Sequence, residues 1–308
     1  MNDSVIQTRG LTRYFGARAA VRDLDLQVPR GSVFAFLGRN GSGKSTTIRM
    51  LLGLLPPSSG HAALLGCDSR TLTPEIRARV GYLAEDHPVY GWMTVRQIGE
   101  FQCSFYPRWN PKTFAGVVDH FALRPSTRVR QLSRGERAGL CLALTLAPDP
   151  ELLILDDPAM GLDPVARRAL IESMIYLTRR EGRTIFFSTH ELNDVERVAD
   201  WLAVLDHGEL RACCTVDTFR SRVRQYRLVF DQAPPKLPNF PGLLRAARSE
   251  RELRLVCVQA NADVPDGLKN LGARSIESQS LSLEDSLVSY LGERGEQTFF
   301  LSETEVRS

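Results

Sequence analysis

One segment of the sequence joins glycines, a lysine and three hydroxyl side chains at a spacing that suits phosphate binding. The segment Gly38–Thr46 reads GRNGSGKST and fits the pattern G-x-x-x-x-G-K-[ST] directly after an apolar run. A glycine-rich loop can turn several backbone N–H groups toward one anion, and the lysine adds positive charge beside the β- and γ-phosphates. The segment therefore predicts a nucleoside triphosphate site. The predicted phosphate ligands are Gly38, Asn40, Gly41, Ser42, Gly43, Lys44, Ser45 and Thr46.

Two aspartates follow a second apolar run, Leu152–Leu155. A phosphate loop of this pattern needs a carboxylate on a neighbouring strand to hold Mg²⁺. We predict that Asp156 has this role, that the hydroxyl of Ser45 is another Mg²⁺ ligand, and that Asp157 projects beside Asp156.

A histidine follows a third apolar run, Thr184–Phe187, and the two hydroxyl residues after it. Ligands of open α/β sheets bind at the carboxyl ends of the strands. A histidine at a strand end is by itself more often structural. Together with the phosphate loop and the aspartate pair, however, His190 is predicted to sense the γ-phosphate.

These residues need a scaffold in which several strand ends meet. The apolar runs Val33–Leu37, Leu152–Leu155 and Thr184–Phe187 are continuous, as is typical of strands buried on both faces of a parallel sheet. Residues 94–130 contain no strand-like run and predict a helical insertion. Three predicted helix starts place proline directly after a capping residue, at Thr73-Pro74, Asn110-Pro111 and Asp163-Pro164.

The composition of the chain changes after residue 212. We expect a connecting helix over 213–225, a small α/β domain over 226–291 and a flexible tail over 292–308. Within the small domain, the patterns predict strands at Tyr226–Phe230 and Leu253–Val258 and helices at Gly267–Leu271 and Leu283–Leu291.

The overall composition excludes several classes of protein. The 308 residues carry 39 Lys and Arg against 36 Asp and Glu, a net charge of +3 that does not indicate a nucleic-acid partner. The longest apolar runs are far shorter than the roughly 20 residues needed to span a bilayer, and the first residues lack the layout of a signal peptide. The six cysteines form no C-x-x-C pair, so reduced, packed thiols are expected rather than a zinc site.

A further segment, Leu132–Glu136, reads LSRGE and opens an apolar helix. It resembles the L-S-G-G-Q signature of ATP-binding cassette (ABC) proteins. The order of motifs over residues 4–212 is similar to that family throughout. The resemblance implies a P-loop α/β core of mostly parallel strands with flanking helices, an N-terminal antiparallel β part, and a helical subdomain over about 94–150. It also implies ATP and Mg²⁺ as ligands.

The resemblance assigns roles to residues outside the phosphate loop. Tyr14 would stack on adenine, and Glu85, where the family usually has glutamine, would give an oxygen to Mg²⁺ or its water. Ser133 and Gly135 would donate to the γ-phosphate of ATP held by a second subunit, and Asp163 would lie in the loop that crosses the interface. Because one chain supplies one phosphate loop and one signature, the resemblance implies a dimer of cassettes.

One departure from the family pattern concerns catalysis. The family usually has glutamate after the Mg²⁺-binding aspartate, where it polarises the attacking water, and here the residue is Asp157. The side chain is shorter by one methylene, and a general base must come within hydrogen-bond reach of its proton donor. We therefore predict slow hydrolysis. At the signature, Arg134 and Glu136 replace family residues without removing Ser133 or the Gly135 amide.

The resemblance favours an ATPase subunit that dimerises on ATP and drives a separate membrane permease. The residues Ser282–Asp285 resemble the C-terminal extension of drug- and lipid-exporting subunits, which favours export. The chain would lie on the cytoplasmic face of the membrane, held only through the permease. The segment Val89–Met93 would either receive a permease helix or fill the helical subdomain. Two alternatives stay open, a catalytically weak regulatory cassette of a heterodimer and a non-transport ABC ATPase.

Overall fold

The computed structural model describes residues 3–179, 182–236, 242–258, 266–291 and 301–302. The chain divides into two compact units, Met1–Leu210 and Arg211–Ser308. The boundary expected from composition lies two residues further along, after residue 212. None of the helices in the described part of the chain is long and apolar enough to cross a bilayer.

The first unit contains two sheets and seven α-helices among its described residues. Its strands are β1 Ser4–Phe15, β2 Arg18–Pro29, β3 Val33–Leu37, β4 Ser59–Leu64, β5 Cys67–Asp68, β6 Val80–Leu83, β7 Leu152–Leu155, β8 Thr184–Thr189 and β9 Trp201–Asp206. Its helices are α1 Lys44–Leu51, α2 Pro74–Arg77, α3 Val95–Cys103, α4 Pro111–His120, α5 Arg134–Leu146, α6 Pro164–Arg179 and α7 Leu192–Val198.

Five strands of this unit form a parallel sheet in the order β9-β3-β8-β7-β6. Every residue of β3, β7 and β8 is buried, as the continuous apolar runs predict. The register pairs Leu37 with Thr189 and Leu155 with Phe187, so β3, β7 and β8 end close together at one edge. This edge brings together the segments that follow the three strands.

The antiparallel part is a separate sheet in the order β2-β1-β4-β5. Strands β1 and β2 form a hairpin in which Phe15 pairs with Arg18 across the turn. Helices α3, α4 and α5 lie between β6 and β7, and α3 and α4 fall within residues 94–130, where a helical insertion is predicted. The three predicted capping residues are all in place. Thr73 accepts a hydrogen bond from Ile76 N–H, and Asn110 and Asp163 cap α4 and α6 in the same way.

The second unit is a small α/β structure. Its elements are β10 Glu209–Thr215, which begins just before the division, α8 Val216–Arg222, β11 Val223–Val229, β12 Leu243–Arg248, β13 Glu252–Val258, α9 Asp266–Lys269, β14 Ser275–Ser280, α10 Leu283–Leu291 and β15 Leu301–Ser302. Strands β12-β13-β11-β14 form an antiparallel sheet. One face of this sheet carries a core that includes Tyr226, Leu228 and Leu255.

Two predictions for this region are wrong. The connecting helix occupies only Val216–Arg222 rather than 213–225, because Thr215 caps its start and Val223 already pairs with Val258 in the sheet. The predicted flexible tail includes β15, which pairs in parallel with Ala212 and Cys213. The other tail residues, 292–300 and 303–308, lie outside the described residues.

Candidate functional site

The phosphate loop connects β3 to α1 and is held in a tight curve. Gly43 is the residue before the helix and has a φ of 109°, a conformation that favours glycine. A Cβ atom there would collide with the backbone carbonyl oxygen of Ala20. The loop therefore requires glycine at this position, and it directs the amino end of α1 toward the cleft.

The Lys44 ammonium group binds back to the phosphate loop. Its Nζ donates to the carbonyl oxygen of Gly38 at 2.7 Å and to that of Arg39 at 3.3 Å. Burial lowers the pKa of Lys44, although the nearby carboxylates, chiefly Asp157 and Asp156, act in the opposite direction. A buried cation of this kind is well suited to bind an anion, because it has lost most of its water.

The predicted Mg²⁺ ligands lie together at the strand ends. Asp156 Oδ1 accepts hydrogen bonds from Ser188 Oγ at 2.8 Å and from Ser45 Oγ at 3.1 Å. Burial raises the pKa of Asp156, opposed by these two hydroxyl groups. Burial also raises the pKa of Glu85, and the charges of Asp156 and Asp157 raise it further. Ser188, which the sequence analysis did not single out, thus fixes the orientation of the key carboxylate.

These residues fit Mg²⁺ bound together with a triphosphate. Mg²⁺ prefers oxygen ligands, and in nucleotide sites it takes one or two protein oxygens and completes its shell with phosphates and water. Ser45 Oγ and Asp156 Oδ1 are such a pair. Among the residues that the structure describes, no group of three or more His, Cys, Asp or Glu side chains could hold a metal ion alone.

Asp157 and His190 form the closest contact between titratable groups of the site. His190 Nδ1 lies 2.6 Å from Asp157 Oδ2, and Ser188 Oγ accepts the Asp157 backbone N–H at 2.9 Å. The other carboxylate oxygen, Asp157 Oδ1, is buried and has no hydrogen-bond partner in the described part of the chain. The φ of Asp157 is 41°, which is uncommon for a residue with a side chain. Strain and an unpaired polar atom together are typical of a functional residue.

A cleft of about 550 Å³ joins these groups to the β1–β2 hairpin. It includes the predicted residues Asn40, Gly41, Gly43, Lys44, Ser45, Thr46, Glu85, Asp156 and Asp157, and also Phe15, Arg18, Ala20 and Met160. Tyr14, the predicted adenine contact, is absent from this lining, and its backbone N–H donates to Ser58 Oγ. Successive side chains of a strand point to opposite faces, so only one of the two adjacent aromatic residues can face the cleft. Phe15, next to the Gly16 turn, takes that place, with Arg13 over its ring at 4.9 Å.

The signature residues lie outside the lining of this cleft. Ser133 caps α5 in a reciprocal pair with Glu136, with Ser133 N–H donating to Glu136 Oε2 at 2.7 Å. Arg134 Nη1 donates to the Gly161 carbonyl oxygen at 3.4 Å, next to the segment that contains Asp163. The chain therefore does not bring Ser133, Gly135 and Asp163 to its own phosphate loop.

An exposed aromatic surface lies beside the Glu85 segment. Tyr90 and Trp92 are 53% and 66% exposed, whereas Met93 is buried. Of these three side chains, only Met93 is buried. Tyr90 contacts Trp92 and Phe101, with ring centroids 6.2 and 5.7 Å away, and Phe101 contacts Phe105 at 5.1 Å. We call Tyr90, Trp92, Phe101 and Phe105 the aromatic surface.

Comparisons with known proteins agree with this geometry. A family model described as ABC transporter matches residues 21–160. The bacitracin transport ATP-binding protein BcrA of Bacillus licheniformis is 33% identical over 225 residues, which are 72% of this chain and 74% of BcrA. The daunorubicin/doxorubicin resistance ATP-binding protein DrrA of Streptomyces peucetius is 34% identical over 295 residues, covering 91% of this chain and 89% of DrrA.

Solved structures give the same result. The ATP binding subunit of an ABC transporter superposes with a TM-score of 0.64 at 28% identity, covering 70% of this chain and 92% of that one. A bacterial ABC transporter cassette solved as a dimer has a TM-score of 0.62 at 19% identity, covers 68% of this chain and 98% of that one, and supports the fold alone. With its P-loop fold, its nucleotide cleft and these relatives, the chain belongs to the ABC transporter family as an ATP-binding subunit.

Proposed function

We propose that this chain binds and hydrolyses ATP as one half of a pair of cassettes, and that closure of the pair drives a separate permease that exports its substrate. The observation that carries the proposal is the meeting of Lys44, Ser45 and Asp157 at one cleft, with His190 in contact with Asp157. Export is supported by relatives named for bacitracin transport and for daunorubicin/doxorubicin resistance.

Binding of ATP would use groups that are already in position. The loop N–H groups would hold the phosphates, and Lys44 would exchange its contacts with the Gly38 and Arg39 carbonyl oxygens for phosphate oxygens. Ser45 and Asp156 would hold Mg²⁺, to which Glu85 would give an oxygen directly or through water. Mg²⁺, when bound, offsets negative charge on the phosphates. Phe15 would contact the adenine.

Hydrolysis would begin at Asp157, whose unpaired Oδ1 can accept a hydrogen bond from the attacking water. The water oxygen forms a bond to the γ-phosphorus while the bond to the β–γ bridging oxygen breaks, and ADP leaves with that electron pair. The water proton passes to the Asp157 carboxylate, which His190 keeps in place through Oδ2. His190 would also contact the γ-phosphate.

The second cassette would complete the site. Ser133 and Gly135 of one chain would donate to the γ-phosphate held by the other, and Asp163 would lie at the interface. This is supported by their position at the starts of α5 and α6, outside the cleft of their own chain. Amino ends of helices attract anions, so the start of α5 is suited to this role.

We propose that the aromatic surface binds the permease, which would hold the chain at the cytoplasmic face of the membrane. Four exposed aromatic side chains in mutual contact are typical of a protein interface. The first unit would be the nucleotide-binding domain, with 94–150 as its helical subdomain. The second unit would be a separate small α/β domain.

The test uses the full chain co-expressed with a candidate permease, a membrane protein with several transmembrane spans. We expect Mg²⁺-dependent ATP hydrolysis by the purified complex, and we expect Trp92→Ala to reduce co-purification. Tyr176→Ala is a matched control, because Tyr176 is an aromatic residue on α6 that is 67% exposed and does not belong to the aromatic surface. If Trp92→Ala co-purifies with the permease as well as the wild type does, the aromatic surface is not the docking site. If the purified complex does not hydrolyse ATP, the proposed ATPase activity is wrong.

A substitution at residue 157 distinguishes an ATPase subunit with slow hydrolysis from a regulatory cassette that binds ATP without hydrolysing it. If the short Asp157 side chain limits the reaction, hydrolysis is slow and Asp157→Glu should raise the rate of the assembled complex. An unchanged rate would mean that the shorter side chain is not limiting. If neither form hydrolyses ATP while both bind it, the second candidate applies, a regulatory cassette of a heterodimer.

A further inference from the structure

A network of charged side chains lies behind His190, and the hydrolysis described above does not use it. At its centre is Arg167, in the first turns of α6. Its Nε lies 3.2 and 3.1 Å from the two carboxylate oxygens of Asp194, and its Nη2 lies 2.7 Å from Asp194 Oδ2. Its Nη1 lies 3.1 Å from Glu191 Oε1. One guanidinium thus binds two acids of the segment that follows β8.

Glu191 connects this network to the catalytic histidine. Its Oε1, the oxygen that Arg167 binds, lies 3.6 Å from His190 Nε2. His190 therefore has a carboxylate near each ring nitrogen, Asp157 at Nδ1 and Glu191 at Nε2. The contacts of the two ring nitrogens determine the tautomer and the orientation of a histidine.

Glu191 precedes α7, but its side chain does not cap this helix. Glu191 is the residue that precedes the first turn, where serine, threonine, aspartate or asparagine would stabilise the helix by about 1 kcal/mol. The Glu191 side chain makes no capping hydrogen bond. Its backbone N–H donates instead to Thr189 Oγ1 at 3.0 Å, and Thr189 Oγ1 donates to Asp194 Oδ2 at 3.4 Å.

The other end of the network reaches the segment proposed to cross the dimer interface. Asp163 caps α6, and the Arg167 backbone N–H donates to the Asp163 carbonyl oxygen at 2.9 Å. Arg167 and Asp194 are also well shielded, with side chains only 20% and 10% exposed. Charge-assisted contacts of this geometry are stronger and less mobile than an exposed ion pair.

We propose that Arg167 is a positioning residue, which holds His190 in its catalytic orientation through Glu191 and Asp194 and links it to the Asp163 segment. Movement of the Asp163 segment when two cassettes close would thus be transmitted to His190 through Arg167 and Glu191. Arg167 itself does not contact ATP. The inference depends on the proposed hydrolysis, because it assigns a part in that reaction.

The test compares two neighbouring arginines of the full chain in complex with its permease. Arg167→Met is expected to lower kcat by about tenfold, because a small misplacement of a catalytic group has effects of this size or larger. The Kd for ATP should change little, since the phosphate loop is untouched. Arg168→Met is the control, because the contact that Arg168 makes among the described residues is an exposed one with Glu172 on its own helix. It should leave kcat unchanged.

A second variant separates positioning from folding. Glu191→Gln keeps the size of the side chain and removes its charge, so it should lower kcat without lowering the melting temperature. If Arg167 acts through Glu191, the double variant should be little worse than Arg167→Met alone. Arg167→Lys should restore part of kcat.

Three results would overturn the proposal. They are an unchanged kcat for Arg167→Met, multiplied losses in the double variant, and a loss confined to ATP affinity. Failure of the wild-type complex to hydrolyse ATP would instead refute the proposed function itself.

Discussion

The parallel sheet of the first unit and the antiparallel sheet of the second unit arrange their polar side chains in opposite ways. Strand β7 is apolar and buried throughout, and the polar residues Asp156 and Asp157 come directly after its end. Strand β13 alternates over its first residues, with Leu253 and Leu255 in the core and Arg254 exposed between them. Burial on both faces concentrates polar groups at one edge, where they can act together. Burial on one face spreads them over a solvated surface.

The largest effect of a substitution on ATP hydrolysis is expected at the edge of the parallel sheet where β3, β7 and β8 end. Lys44→Ala should lower ATP hydrolysis by more than about a hundredfold, because it removes a buried cation aimed at the phosphates. The same change at Lys112, an exposed lysine on α4, should have no effect. Steady-state hydrolysis by the complex measures both. Equal rates for wild type and Lys44→Ala would mean that the cleft is not the reaction site.

The next effect concerns the core of the second unit. Leu255→Ala should destabilise this unit by about 2–5 kcal/mol, the usual range for a fully buried leucine. Arg254→Ala, one residue earlier on the exposed face, should have little effect. Hydrogen exchange of the β11 and β13 amides is the suitable measurement, because a chain of two units need not unfold in one step. Similar exchange rates for the two variants would contradict the division into a buried and a solvated face.

A smaller effect distinguishes two adjacent aromatic residues. Phe15→Ala should raise the Kd for ATP by about tenfold, the order expected for loss of an aromatic contact, and Tyr14→Ala should change it little. Binding of inorganic tripolyphosphate, which has no base, should be the same for both variants. If Tyr14→Ala raises the Kd for ATP more than Phe15→Ala does, then Tyr14 rather than Phe15 contacts the adenine.

The smallest effect is expected on the solvated face. Hydrogen bonds from Arg227 and Arg254 lower the pKa of Glu252 to about 2. Because the pKa is lowered, any stabilisation from these contacts is present at neutral pH and is lost as the pH falls toward 2. The groups are exposed and screened, so Glu252→Gln should leave amide exchange unchanged. An NMR titration of Glu252 measures its pKa, and an ordinary value would show that the contacts do not persist in solution.

The same contrast explains which features could be predicted from the sequence. The apolar runs of β3, β7 and β8 and the motifs that follow them are local patterns, and they locate the strand ends correctly. Strands β12 and β14 were not predicted, because nearly all of their residues are exposed or partly exposed and no apolar run marks them.

Features that depend on packing could not be predicted. The resemblance to ABC proteins indicated Tyr14 as the adenine contact, but the residue that lines the cleft is its neighbour Phe15, which pairs with Arg18 across the hairpin. Similarly, the contact of Arg167 with Asp194 joins residues 27 positions apart, and it exists only because α6 packs against α7.

The raised pKa values of the cleft carboxylates have a consequence for the stability of the first unit. A raised pKa at Asp156 means that its charge opposes folding at neutral pH, and Glu85 adds to this. A ligand that binds only the folded state stabilises it in proportion to the logarithm of its concentration. Binding of ATP with Mg²⁺ would therefore stabilise the folded first unit as well as supply the reaction, so the free energy of unfolding of this unit should rise with the concentration of ATP.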